Sequence, residues 1–295
     1  MGKVLAEQFD ICAKTFAEAD AALGEKLSDL IFGGPPERLT LTENTQPAIL
    51  TMSVAVWRLL ESKGLTPSFV AGHSLGEYSA HVAAGTLAFE DAVRLVRNRG
   101  RYMQEAVPVG HGAMAAILGL DEAGVNQACA EAAEGEVVSA ANVNGGGQIV
   151  IAGTAAAVAR ASERARALGA RRVVPLQVSA PFHCALMKPA EDRLAPELRA
   201  VRALDPRVPV VANVDAQPKR SAGDAIEALI KQVSSPVRWE SVVQRLAAEG
   251  VTHYVEVGPG KALSGMIKRI AGGATILNVE GPADLPAIEE QLPAA

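Results

Sequence analysis

The sequence predicts an α/β protein in two parts: a large body of helices around a mostly parallel sheet, and a small lobe inserted into it. Three observations point there. Apolar residues recur at helical spacing through the first third of the chain. Short apolar runs at 68–72, 208–213 and 251–257 each lead into turn residues and then helix, the order that buries parallel strands. Between them, residues 112–180 read strand, helix, strand, strand, helix, strand.

The composition suits this class. The chain has 295 residues, 49% of them hydrophobic and only 4% aromatic, so its core is built mainly from Ala, Val, Leu and Ile. Twenty-eight basic against 33 acidic residues give a net charge of −5, which argues against a nucleic-acid-binding face. No stretch approaches the roughly 20 apolar residues of a membrane span. Cys12, Cys129 and Cys184 are odd in number and far apart, so neither a disulfide framework nor a metal site is expected. Cys184 reads as a small buried side chain rather than a nucleophile. Met1-Gly2-Lys3-Val4-Leu5 carries no secretory apolar core, so a cytoplasmic protein is expected.

Element by element, Phe9, Cys12, Phe16 and Ala19 share one helical face, and 33–37 breaks the pattern as a loop. Thr45-Gln46-Pro47 opens a helix over 48–60, with Pro near its first turn, and Lys63-Gly64 ends it. A buried strand over 68–72 runs into a helix at 77–84, closed by Gly85, and another helix spans 89–105. In the lobe, strands are expected at 113–118, 137–143, 148–152 and 172–178, with helices at 122–133 and 155–168. That order is βαββαβ, a ferredoxin-like pattern. Gly145-Gly146-Gly147 is a hairpin turn. Gly258-Pro259-Gly260-Lys261 lacks phosphate-loop spacing and reads as a loop near the cleft. The Pro- and Ala-rich tail from Ala283 is expected to be poorly ordered. The body therefore comprises 1–111 and 181–295, and the lobe 112–180.

Gly72-His73-Ser74-Leu75-Gly76 is a G-x-S-x-G signature between strand and helix, the setting of a nucleophile elbow and of an α/β-hydrolase-like body. Ser74 is the nucleophile candidate. The Leu75 N–H, at the start of the following helix, is placed to stabilise an oxyanion. The base stays open among five histidines. His81 lies two turns along the helix, His253 opens a strand, His111 sits in a loop, and His73 is turned aside by the elbow. His183, in a loop leaving the lobe, is the strongest single candidate.

With Gly72 to Ala80 in view, the chain resembles the malonyl-CoA:acyl carrier protein transacylase family of fatty-acid synthesis. Thr45-Gln46-Pro47-Ala48, Arg99-Gly100-Arg101-Tyr102-Met103-Gln104, His183-Cys184-Ala185-Leu186-Met187 and Pro236-Val237-Arg238-Trp239 carry the same resemblance, as does Glu256-Val257-Gly258-Pro259-Gly260-Lys261. It implies ping-pong transfer of malonyl from malonyl-CoA to the phosphopantetheine thiol of acyl carrier protein, through an ester on Ser74 with His183 as base. It further implies that the Gln232 backbone carbonyl orients the histidine and that Arg99 holds the malonyl carboxylate, with Phe182 crowding an α-methyl group. It implies no cofactor, no metal, no membrane or nucleic-acid partner, and a monomer. An acidic carrier would favour a basic docking face, for which Arg164, Arg166, Arg171, Arg172, Lys268 and Arg269 are candidates.

The sequence departs from the family at its start. Members begin with a buried strand and a Phe-Pro-Gly-Gln-Gly-Ser-Gln loop that supplies a second oxyanion donor, and Met1-Gly2 aligns after that loop. One such donor is worth roughly 10²–10³ in rate, so weak transfer or none is expected. Two other readings compete: a serine esterase or thioesterase using the same elbow, and an impaired acyltransferase-like domain that only binds carrier protein.

Overall fold

A computed structural model describes residues 1–292. The chain opens with helices α1 (Lys3–Gln8), α2 (Asp10–Leu23), α3 (Leu27–Gly33), α4 (Pro36–Leu39) and α5 (Thr42–Ser62). The α2 face buries Cys12, Phe16 and Ala19 as their spacing predicts. Residues 33–37 are not simply a loop: α3 ends at Gly33, and Pro36 starts a single helical turn with its fixed φ. Helix α5 begins earlier than its Pro suggests. Thr45 Oγ1 donates to Leu39 O at 2.6 Å, tying the first turn to the preceding segment, and Pro47, the sixth helical residue, removes one hydrogen bond of the helical ladder. The middle of α5, including Leu50, Met52, Val54 and Val56, forms the axis of the main core.

Strand β1 (Val70–Ala71) leads through the elbow into α6 (Leu75–Ala83), and α7 (Phe89–Glu105) then packs along α5. The lobe follows as β2 (Gly112–Leu118), α8 (Glu122–Ala132), β3 (Val138–Gly145), β4 (Gln148–Thr154), α9 (Ala155–Ala167) and β5 (Arg172–Pro175). Its sheet runs β3-β4-β2-β5 with every neighbour antiparallel. Alternation along β2 explains its two covered faces. Ala115 and Ile117 meet α8 and α9, while Met114 and Ala116 meet Cys184 and Phe182 on either side of His183. The lobe's two ends touch, since a β-carbon at Gly112 would lie 2.4 Å from the Pro181 ring.

The body resumes with α10 (Lys188–Ala200), β6 (Val210–Val211), β7 (Pro218–Lys219), α11 (Ala222–Gln232), α12 (Trp239–Ala248), β8 (His253–Val257), α13 (Ala262–Ile270), β9 (Thr275–Val279) and α14 (Leu285–Gln291). Its strands form two small sheets, β1-β6-β7 and β8-β9, rather than one. The β1/β6 and β8/β9 pairs are parallel and the β6/β7 pair antiparallel. Two of the predicted strands, at 68–72 and 208–213, shrink to two paired residues each. The tail from Ala283 is ordered through α14, where Leu285 and Ile288 bury themselves against the main core. Only 293–295 of that tail lie outside the described residues. All three cysteines are free and buried. Among the described residues no helix is long and apolar enough to cross a membrane.

Candidate active site

The end of β1 turns into α6 within three residues, and Ser74 takes φ 51° and ψ −105° to make that turn. Such a backbone is strained for a residue with a β-carbon and persists only when its surroundings impose it. Two features do so. Gly72 must be glycine, because a β-carbon there would sit 2.0 Å from the Gly76 carbonyl carbon. Asn213, just past β6, accepts a hydrogen bond from Ser74 N–H at 2.7 Å and donates to Gly72 O at 2.8 Å. The turn presents Ser74 Oγ to the cleft and leaves the Leu75 N–H at the positive end of α6.

The lobe exit brings His183 to the serine across 109 residues of sequence. Its Nε2 lies 2.7 Å from Ser74 Oγ, and its Nδ1 lies 3.0 Å from the backbone oxygen of Gln232 at the end of α11. A carbonyl can only accept, so Nδ1 carries the hydrogen and Nε2 is left to take the serine proton. Burial, reinforced by the charge of Arg99, pushes His183 down to about 3, so the ring is neutral at physiological pH. Of the five histidines, His183 is the one whose ring the structure brings within hydrogen-bond distance of Ser74 Oγ. His73 turns aside to Asn144 Oδ1 at 3.0 Å, and buried His81 has no ring partner among the described residues. His253 and His111 are exposed away from the serine.

Arg99, on α7, is 2% exposed and completes the cluster. One terminal nitrogen donates to Ser74 Oγ at 3.0 Å and to Gln232 Oε1 at 2.9 Å, and the other donates to Gln46 Oε1 at 2.7 Å. The neighbouring arginines point elsewhere: Arg94 to Asp91, Arg97 to Glu25 and Asn44, and Arg101 to Asn98. A buried guanidinium with only neutral partners beside a nucleophile is suited to an acyl group that carries its own carboxylate.

Three contributors escape sequence reasoning. Gln46 sits in a stretch noted only as part of a resemblance, and its amide positions Arg99. Asn213 carries no motif. Gln232 was read only for its carbonyl, yet its buried amide also donates to Ser74 O and to Glu77 Oε2, each at 2.9 Å. Glu77, fully buried, is pushed up to about 7 by burial.

Known proteins resemble this chain over nearly its whole length. The family model described as the acyl transferase domain matches residues 1–272. The malonyl CoA-acyl carrier protein transacylase of Escherichia coli is 53% identical over 288 residues, covering 97% of this chain and 93% of that protein. A crystal structure of an acyl carrier protein S-malonyltransferase from Vibrio cholerae superposes with a TM-score of 0.96 at 48% identity, covering 98% of this chain and 94% of the other. A malonyl-transacylase solved in complex with a type II polyketide acyl carrier protein superposes with a TM-score of 0.95 at 47% identity, covering 98% and 94%.

Proposed function

The chain belongs to the acyl transferase domain family and is an acyltransferase, and from that premise we propose that it moves a malonyl group from malonyl-CoA to the phosphopantetheine thiol of acyl carrier protein through an ester on Ser74. The observation that carries the chemistry is the hydrogen-bonded chain from the Gln232 carbonyl through His183 to Ser74 Oγ, with Arg99 alongside.

In the first half, His183 Nε2 takes the Ser74 hydroxyl proton as Oγ attacks the thioester carbonyl. The resulting oxyanion is stabilised by the Leu75 N–H. The carbon–sulfur bond to CoA breaks, and the leaving sulfur takes the proton from Nε2. In the second half, Nε2 takes the proton of the carrier thiol and that sulfur attacks the malonyl ester. The bond to Oγ breaks, and Oγ recovers the proton. Arg99 pairs with the malonyl carboxylate throughout, and Phe182 lies against the lobe beside His183. No cofactor enters, since malonyl-CoA is a substrate.

The same reading takes 1–111 and 181–295 as a hydrolase-like body and 112–180 as a ferredoxin-like insert, in a monomeric cytoplasmic protein. A thioesterase would share the Ser74–His183 pair, but the buried cation beside it favours a carboxylate-bearing donor. The experiment that separates them mixes the protein with malonyl-CoA and holo carrier protein. Transfer predicts malonyl on the carrier, whereas hydrolysis predicts free malonate.

A further inference from the structure

Arg99 and His183 share one atom, Ser74 Oγ, at 3.0 and 2.7 Å respectively. Arg99 is buried, yet its hydrogen bonds run only to uncharged groups, those of Gln46, Gln232 and Ser74. Glu77 attracts Arg99 directly and also accepts from the Gln232 amide, but burial pushes that carboxyl up to about 7, so near neutrality it is only partly ionised. A cation only partly compensated in a low-dielectric site acts strongly on its neighbours.

The groups facing the imidazole are few. Arg99 acts from α7 and His73 from the elbow. The Gln232 carbonyl meets Nδ1 from the end of α11, and a backbone group of Ser235 follows it. None of these is a carboxylate. Burial and then the Arg99 charge both lower the proton affinity of the ring.

We infer that the acyl group's own carboxylate sets the strength of the base: a malonyl group against Arg99 cancels the cation's field at His183 and makes Nε2 a better proton acceptor, whereas an acetyl group leaves it weak. This rests on the malonyl-transfer reading and extends it. Selection for malonyl then operates in turnover as well as in binding. It acts at the step where Nε2 takes the carrier thiol proton, the sulfur–carbon bond forms, and the carbon–oxygen bond to Ser74 breaks with the proton returned to Oγ.

The test uses the two acyl-enzymes, loaded from malonyl-CoA or acetyl-CoA without an acceptor thiol and verified on Ser74 by mass spectrometry. The pKa of His183 is read in each by NMR of labelled histidine. The acid limb of the pH–rate profile for transfer to pantetheine reads the same quantity. The malonyl-enzyme should titrate higher than the acetyl-enzyme by about one pH unit or more, the usual effect of compensating a neighbouring charge. In Arg99→Gln the acetyl-enzyme should rise toward the wild-type malonyl value. Coincident values in the two loaded wild-type enzymes would overturn the inference alone, with no variant required. Failure of malonyl-CoA to load Ser74 would instead overturn the transfer reading, and this inference with it.

Discussion

Asn213 holds Ser74 from behind: one carboxamide accepts the Ser74 N–H at 2.7 Å and donates to Gly72 O at 2.8 Å, clamping both sides of the elbow. Its own backbone N–H is held by Glu77 Oε2 at 3.0 Å. The strained serine backbone is therefore fixed by a residue 139 positions away. Asn213→Ala should cost about 2–4 kcal/mol of stability, since two buried backbone groups lose their partner. It should also slow Ser74 acylation at least tenfold. Chemical denaturation and the acylation burst measure the two effects. An alanine variant with wild-type acylation would show that the elbow holds its shape unaided.

Arg99→Ala should lower malonyl transfer by about a hundredfold, the loss of a charge-assisted two-pronged pair. Transfer of a neutral acetyl group should be retained or improved. Arg99→Lys should recover little, because an ammonium cannot reproduce the fork that reaches Gln46, Gln232 and Ser74 together. Donor competition between malonyl-CoA and acetyl-CoA reads this directly, and an unchanged ratio in the alanine variant would remove Arg99 from substrate selection.

Glu77 makes stability depend on pH. Burial raises its carboxyl from 4.5 to about 7 in the folded protein. Between those values the folded protein keeps a proton that the unfolded chain has released. Its contribution is therefore fully present below about pH 4.5, declines as pH rises to about 7, and is flat above. Glu77→Gln removes the decline and should gain up to about 3 kcal/mol relative to wild type at pH 8. Denaturation midpoints of both proteins from pH 4.5 to 8 measure it, and parallel curves would mean the carboxyl is ionised throughout.

Carrier docking is narrowed by the ion pairs. Arg164 is engaged by Glu131 and Arg166 by Glu163, whereas Arg171, Arg172 and, at the end of α13, the pair Lys268 and Arg269 form no ion pair among the described residues. Arg269 also packs against Gly146, in the hairpin after Asn144, whose side chain reaches His73 beside the nucleophile. Replacing Lys268 and Arg269 with Glu should raise the KM for carrier protein about tenfold and flatten its salt dependence, while acylation by malonyl-CoA stays unchanged. An unaltered carrier KM would move docking to another face.

What the sequence discloses follows the range of the forces involved. The order of strands and helices from 112 to 175 was legible because it rests on local alternation and on the Gly145–Gly147 turn, and 89–105 because a long amphipathic pattern specifies a helix by itself. The body strands were overextended, since pairing of Val70 with Val210 depends on distant backbone. The tail was misjudged because Leu285 and Ile288 draw order from a core formed elsewhere. In the site, Ser74 was visible through its glycines, which answer a steric demand within five residues. His183 could not be separated from other histidines by spacing alone. Gln46, Asn213 and the Gln232 amide were silent, because their roles exist only once α5, α7, α11 and the elbow converge.

The central claim is that the acyl group passes through Ser74. Peptide mass spectrometry after mixing with malonyl-CoA alone tests it most directly. Malonyl is expected on the peptide containing Ser74, followed by its transfer to holo carrier protein on addition of that protein, with no adduct in Ser74→Ala. Malonyl reaching the carrier at undiminished rate in Ser74→Ala, or consumption of malonyl-CoA with no adduct on the wild-type protein, would contradict it.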